Sequence, residues 1–187
     1  MKTLIAFAFV AVATLALAAD KLTDAKLNAG ESPISVSVAI PTRHGERRIE
    51  YGDRTTHFHV IVSNTSEKPQ RIWREWCSWG YYGLTFEFAD ERGKKWVAKK
   101  KPAIWTRNFP DWWTLAPGER LVLDVHFGDS EKWEGFPRPE HGSQAVTMQA
   151  VFEFKPGDES RKHEVWTGRT TSKADKFVFY HRKPESK

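Results

Sequence analysis

Between Ile34 and Tyr180 the apolar residues of this chain recur at every second position and nowhere, over a useful length, at every third or fourth. Val146, Met148, Ala150, Phe152 and Phe154 make the longest such run. Successive side chains of a strand point to opposite faces, so this period places one set inside and the other outside. Shorter runs repeat the pattern: Ile34, Val36, Val38 and Ile40; Phe58, Val60 and Val62; Tyr82, Leu84, Phe86 and Phe88; Leu121, Leu123, Val125 and Phe127. Ile72-Trp73, Trp96, Trp113 with Leu115, Val165-Trp166 and Phe177 with Phe179 mark further short strands.

Turn chemistry separates them. Asn64 to Pro69, Asp90 to Gly93, Ala116-Pro117-Gly118-Glu119 and Pro156-Gly157-Asp158 carry the residues that reverse a chain. Arg43 to Arg54 is polar and reads as a loop or weak hairpin, and Gly128 to Ser143 as an irregular loop. The pattern predicts an all-β, antiparallel β-sandwich of seven to nine strands over 34–180, with two long aromatic loops, Trp73–Tyr81 and Trp105–Trp113. A closed barrel is the alternative; uneven strand lengths and the long loops favour the sandwich.

Three pieces carry a resemblance: Phe58-x-Val60-x-Val62-x-Asn64-x-Ser66-x-x-Pro69, Leu115-Ala116-Pro117-Gly118-Glu119, and Val165-Trp166-Thr167-Gly168-Arg169 with Ser172. Together they resemble secreted immunoglobulin-like domains of bacterial proteins. The resemblance implies an architecture and no catalytic residues. Trp73 takes the place of the strand tryptophan that packs in the core of antibody-type domains. With Cys77 as the single cysteine, no inter-sheet disulfide accompanies it.

The chain begins with a leader. Met1-Lys2 gives a basic start, Leu4 to Leu17 an apolar run, and Ala16-Leu17-Ala18 a small-x-small cleavage pattern. Residues 1–19 are therefore expected to be a signal peptide, too short for the roughly 20 apolar residues of a span, and no later stretch offers a transmembrane segment. The mature protein is expected to be secreted or periplasmic, with a lead-in over 20–33 and a disordered lysine-rich tail over 181–187. Acidic and basic residues interleave at a formal net charge of +5, which excludes a dedicated nucleic-acid binder. Free cysteine is among the most buried side chains, so Cys77 is expected in the core. Asn64-Thr65-Ser66 matches a glycosylation acceptor but reads as a turn.

All nine tryptophans lie between Trp73 and Trp166. Strand parity predicts Trp113 buried beside Leu115, with Trp112 and Tyr81 facing outward. Trp73, Trp76, Trp79, Tyr81, Trp105 and Trp112 then gather where loops meet, either as a recognition surface or as a second small core. Arg74 and Arg107 would add directional hydrogen bonds to a surface of that kind. His57 and His59 share a strand face, and His126 on another strand completes three imidazoles that suit zinc or copper. Lys94, Lys95, Lys99, Lys100 and Lys101 flank Trp96, as edge protection or as a contact for an anionic polymer.

No nucleophile elbow, phosphate-binding glycine loop or His-Glu-x-x-His helix occurs, and the residues define no catalytic set. The expected function is an exported, non-catalytic binding module. It would take a protein or carbohydrate ligand of the cell envelope on Trp76, Trp79, Tyr81, Trp105, Arg107 and Trp112, without a cofactor. The alternatives are a metal-dependent or glycan-active enzyme on the His57/His59 face and, by analogy of fold, a peptidase inhibitor.

Overall fold

A computed structural model describes residues 32–181 except 44, 52–54, 129–131 and 141. The expected signal peptide, the lead-in up to residue 31 and the tail beyond His181 lie outside the described residues. All described residues but Ser32 belong to one unit that starts at Pro33.

The protein is all-β. Thirteen strands are present among the described residues: β1 Ile34–Ala39, β2 Thr42–Arg43, β3 Glu46–Tyr51, β4 Phe58–Asn64, β5 Gln70–Trp73, β6 Leu84–Ala89, β7 Lys95–Lys100, β8 Trp112–Leu115, β9 Arg120–Val125, β10 Trp133–Glu134, β11 Gly142–Phe154, β12 Gly168–Thr171 and β13 Asp175–His181. Two short helices interrupt them, α1 Ser78–Tyr81 and α2 Asp158–Lys162. The count exceeds the expected seven to nine because β2, β3, β10 and β12 are too short or too polar to show alternation.

Three sheets form: β1-β4-β9; a larger one ordered β10-β7-β6-β11-β13-β3-β2, with β12 also on β11; and the pair β5-β8. One of the sheets curls as a half-barrel, and β1 lies against β11 and β12. Among the described residues a single parallel bridge joins Arg71 of β5 to Val165, and the strand pairs are antiparallel except β13 with β3, which run parallel from Val178↔Arg48 to His181↔Tyr51. The segment read as a loop or weak hairpin is thus a strand. Ile49 and Tyr51 bury its inner side, and charge covers the rest. Arg47 lies 4.9 Å over the Phe177 ring and Arg48 4.8 Å over Tyr180. A guanidinium stacked this way shields apolar surface while remaining wet, so a polar strand still docks. His181, expected in the tail, ends β13 and stacks on Tyr51 at 4.6 Å.

The alternating runs bury as predicted. Phe58, Val60, Val62 and Phe86 are fully shielded, and Val146, Met148, Ala150, Phe152 and Phe154 all point inward from β11. Phe127 is the hub, with ring centroids 5.0–6.0 Å from Phe58, Phe86, Phe88, Trp133, Phe136 and Phe179. Each fully buried ring contributes about 1.5–3 kcal/mol of transfer free energy. Trp133 and Phe136 reach the core from the segment read as an irregular loop. Tyr82 departs from its run. Strand β6 begins at Leu84, and Tyr82 caps α1 ahead of the Gly83 turn, 48% exposed.

Turns are fixed by side chains where the sequence suggests it. The Asn64 amide is buried and donates to the carbonyls of Lys68 (2.8 Å) and Leu115 (2.9 Å). Both donors of that nitrogen are spent, so the Asn64-Thr65-Ser66 pattern builds a turn and offers no glycan acceptor. Buried Ser172 accepts the Ala150 amide at 2.9 Å, so β12 and β13 run as one interrupted strand along β11.

Candidate functional site

The two aromatic loops, after β5 and after β7, are fastened to each other. The Arg74 amide donates to the Asp111 carbonyl at 3.0 Å, and Arg74 Nε to the Trp112 carbonyl at 3.2 Å. Trp76 Nε1 donates to Asp111 Oδ2 at 2.8 Å. Ser78 and Asn108 exchange two bonds: the Ser78 amide donates to Oδ1 (2.9 Å), and Asn108 Nδ2 donates to Ser78 Oγ (2.7 Å). Gly80 makes the close approach possible, since a Cβ there would stand 2.1 Å from the Arg74 carbonyl oxygen. Cys77 is buried as expected, its thiol donating to the same carbonyl at 3.2 Å.

The aromatic residues divide into the two roles that the sequence left open. Trp73, Trp79 and Trp112 form the second core. Trp73 meets Trp79 at 5.9 Å and Trp112 at 6.1 Å, and His163 closes over Trp112 at 4.7 Å. Trp112 and Trp113 are both half-buried, so strand parity does not separate them into an outward and a buried ring. Parity fails because the β5-β8 pair is covered on both sides. Trp73 and His163 cover one side; Arg74, 3.8 Å over the Trp113 ring, and Trp76 cover the other. The α2 helix that supplies His163 left no mark in the strand pattern.

The remaining aromatics face outward. Trp76 is 54% exposed, Tyr81 and Trp105 are half-buried against each other at 5.4 Å, and Arg107 is exposed. The largest exposures fall on residues that the sequence reading did not single out, Ile104 at 95% and Phe109 at 74%. Their signal was present: apolar side chains in a stretch with no alternating partner and a proline near each end. The exposed large apolar residues comprise Trp76, Tyr82, Val97, Ile104, Phe109 and Val122. Four of them thus sit on these two joined loops.

Beneath the loops is an ion cluster. Lys100 Nζ donates to Glu75 Oε2 at 2.9 Å and lies 4.8 Å over the Tyr81 ring, and Lys132 reaches Glu75 Oε1 at 3.5 Å. Burial pushes the Lys100 ammonium below its ordinary range, against the pull of Glu75. Burial would raise the Glu75 carboxyl, but Lys100 and Lys132 outweigh it and the net direction is down. Lys100 is consequently removed from the expected basic surface. Lys99 pairs with Glu134 at 3.4 Å, Lys94 lies 5.0 Å over Trp96, and Lys95 stands at the far end of β7 from Lys101. The five lysines do not make one patch. Among the described residues strand β7 is paired by β10 at Lys99 and Lys100, and Lys95 is the charged residue on the rest of the strand.

The histidine face is partly assembled. His57 and His126 lie 4.8 Å apart between ring centroids, while His59 Nδ1 turns to Asp124 Oδ1 at 2.7 Å. Burial, then His57 and Lys132, hold the His126 pKa below its ordinary value. Among the described residues no three His, Cys, Asp or Glu side chains converge as a metal-binding group. A groove of about 480 Å³ runs along the outer face of β6, β7 and β11, lined by Glu87, Lys95, Trp96, Thr147 and Gln149. Glu87 is already held by Gln149 (2.5 Å) and Arg169 (2.9 Å).

No protein-family model matches the chain, and no curated protein matches it.

Proposed function

We propose that this is an exported, immunoglobulin-like β-sandwich module that acts by binding, with the joined loops 74–82 and 101–111 as its contact surface. The observation that carries this reading is the gathering of Trp76, Tyr82, Ile104 and Phe109 on two loops held rigid by Asp111 and Asn108. Apolar side chains left in water gain free energy when a partner covers them, and loops already fixed lose little entropy on doing so. The sandwich reading is supported by β1 of the three-stranded sheet, which lies against β11 and β12. Export is supported by the leader pattern over 1–19.

The test is capture from cell-envelope material separated into membrane, polysaccharide and soluble-protein fractions. Wild-type protein should retain a component of one fraction, and Ile104→Ser/Phe109→Ser should retain at least tenfold less at an unchanged melting temperature. Equal capture by both would overturn the assignment of the surface.

A further inference from the structure

We infer that the partner of this surface is an anionic lipid interface, into which the tip of loop 101–111 dips. The inference rests on the binding reading above and names its ligand.

The chemistry is layered in the order in which a lipid–water boundary changes. At the tip, Ile104 and Phe109 are 95% and 74% exposed, so these side chains stand clear of the protein rather than lining a pocket in it. Around them lie Trp76, Tyr81, Tyr82 and Trp105, aromatic rings that each carry one polar atom. Such rings favour headgroup depth, where one end is apolar and the other wet. Charge supplies the collar. Of the basic side chains in segments 74–82 and 99–111, Lys100 is buried on Glu75, Arg74 is paired with Asp111 and Lys99 with Glu134, which leaves Lys101 and Arg107 to face outward. Both carboxylates of these segments are committed internally, Glu75 to Lys100 and Lys132, Asp111 to Trp76 and Arg74. What the loops present outward is cationic, with exposed Arg107 and half-exposed Lys101 nearest the tip.

Other partners match less of this. A glycan stacks on aromatic faces and exchanges hydrogen bonds, which leaves a bare isoleucine without purpose. A protein partner, or a second copy of this chain, would need a matching apolar socket ringed by carboxylates. The backbone also limits depth. Loop 101–111 forms no strand or helix, and peptide groups without internal hydrogen bonds are costly in hydrocarbon. The contact is therefore shallow, side chains alone passing the headgroups.

The experiment is flotation of the exported protein with vesicles of phosphatidylcholine alone or mixed with phosphatidylglycerol. Size-exclusion chromatography with light scattering runs in parallel. Wild-type protein should float with the anionic vesicles and lose at least tenfold in affinity as Ile104→Ser/Phe109→Ser. Lys101→Glu/Arg107→Glu should abolish the preference for anionic over neutral lipid. Circular dichroism and melting temperature confirm that each variant is folded. Failure of wild-type protein to float, or equal flotation of the Ile104/Phe109 variant, overturns the lipid inference. Self-association of wild type that the same variant abolishes, without vesicle binding, assigns the surface to a second copy. Capture of a polysaccharide or soluble protein without flotation leaves the binding surface standing and removes lipid as its ligand.

Discussion

Lys100 donates to Glu75 over 2.9 Å with its own side chain 1% exposed, while that of Glu75 is 35% exposed. The pair is lopsided: Glu75 retains Lys132 and water if Lys100 goes, whereas among the described residues Lys100 retains the Tyr81 and Trp133 rings if Glu75 goes. A buried charge that loses its partner keeps its desolvation penalty. Glu75→Gln should therefore cost about 3 kcal/mol and Lys100→Met about 1 kcal/mol or less, read by urea denaturation. Equal losses would mean that water reaches the Lys100 ammonium.

Trp112 and Trp76, three dozen residues apart on facing loops, should answer differently to truncation. Trp112 packs on Trp73 and under His163, so Trp112→Ala opens a cavity in the second core and should cost about 3 kcal/mol. Trp76 is 54% exposed and loses one hydrogen bond and a guanidinium stack, so Trp76→Ala should cost about 1 kcal/mol. Thermal unfolding of both variants checks the order. A larger loss for Trp76 would reverse the division into core and surface.

Where one face of a strand meets the core and the other meets water, alternation revealed the burial directly: Phe58, Val60 and Val62 on β4, and the inward set of β11. It failed where that premise fails. β5 and β8 carry packing on both sides, so Trp112 and Trp113 are alike half-buried. β3 has only Ile49 and Tyr51 as large apolar residues among charged ones, so no alternation marks it although both are buried. Tyr82 continued a run of correct spacing that Gly83 cuts short. The surface was half legible for a related reason. Sequence identifies the loops that carry aromatic bulk, but an exposed isoleucine and a buried one are the same letter. Only their exposure in the folded chain shows that Ile104 and Phe109 face outward. Lys100 was likewise counted with its neighbours, because nothing nearby in sequence announces Glu75.

Gly80 tests whether the two loops act as one unit. The contact that excludes a Cβ is with the backbone carbonyl of Arg74, which cannot swing away as a side-chain end would. Gly80→Ala must shift α1, at about 1–3 kcal/mol by analogy with overpacked cores. The same carbonyl accepts the Cys77 thiol. The variant should therefore unfold at lower temperature and label faster at Cys77 with a thiol reagent under native conditions. Unchanged labelling with a lowered melting point would place the strain elsewhere than on this loop pair.

Asp175 gives the clearest dependence on pH. Both nitrogens of the Arg47 fork reach its carboxylate, at 2.6 and 2.7 Å, and the Lys176 amide adds a bond at 2.8 Å. The Arg47 bond foremost, then that amide, lowers the Asp175 pKa from 3.8 to about 2. A carboxyl lowered in the folded state stabilises fully above its unfolded value, and that contribution fades as pH falls from 3.8 toward 2. The pair joins β3 to β13, the one parallel contact in the larger sheet, so its loss should be felt locally first. Protection of the β3 amides from hydrogen exchange, relative to the intrinsic rate at each pH, should fall over that acid window in wild-type protein. Asp175→Asn should show the lowered protection at every pH, and Arg47→Ala should return the Asp175 titration toward 3.8 by NMR. If β3 exchange is indifferent to both substitutions, the strand is held by Ile49 and Tyr51 alone and the ion pair is ornament on an apolar contact.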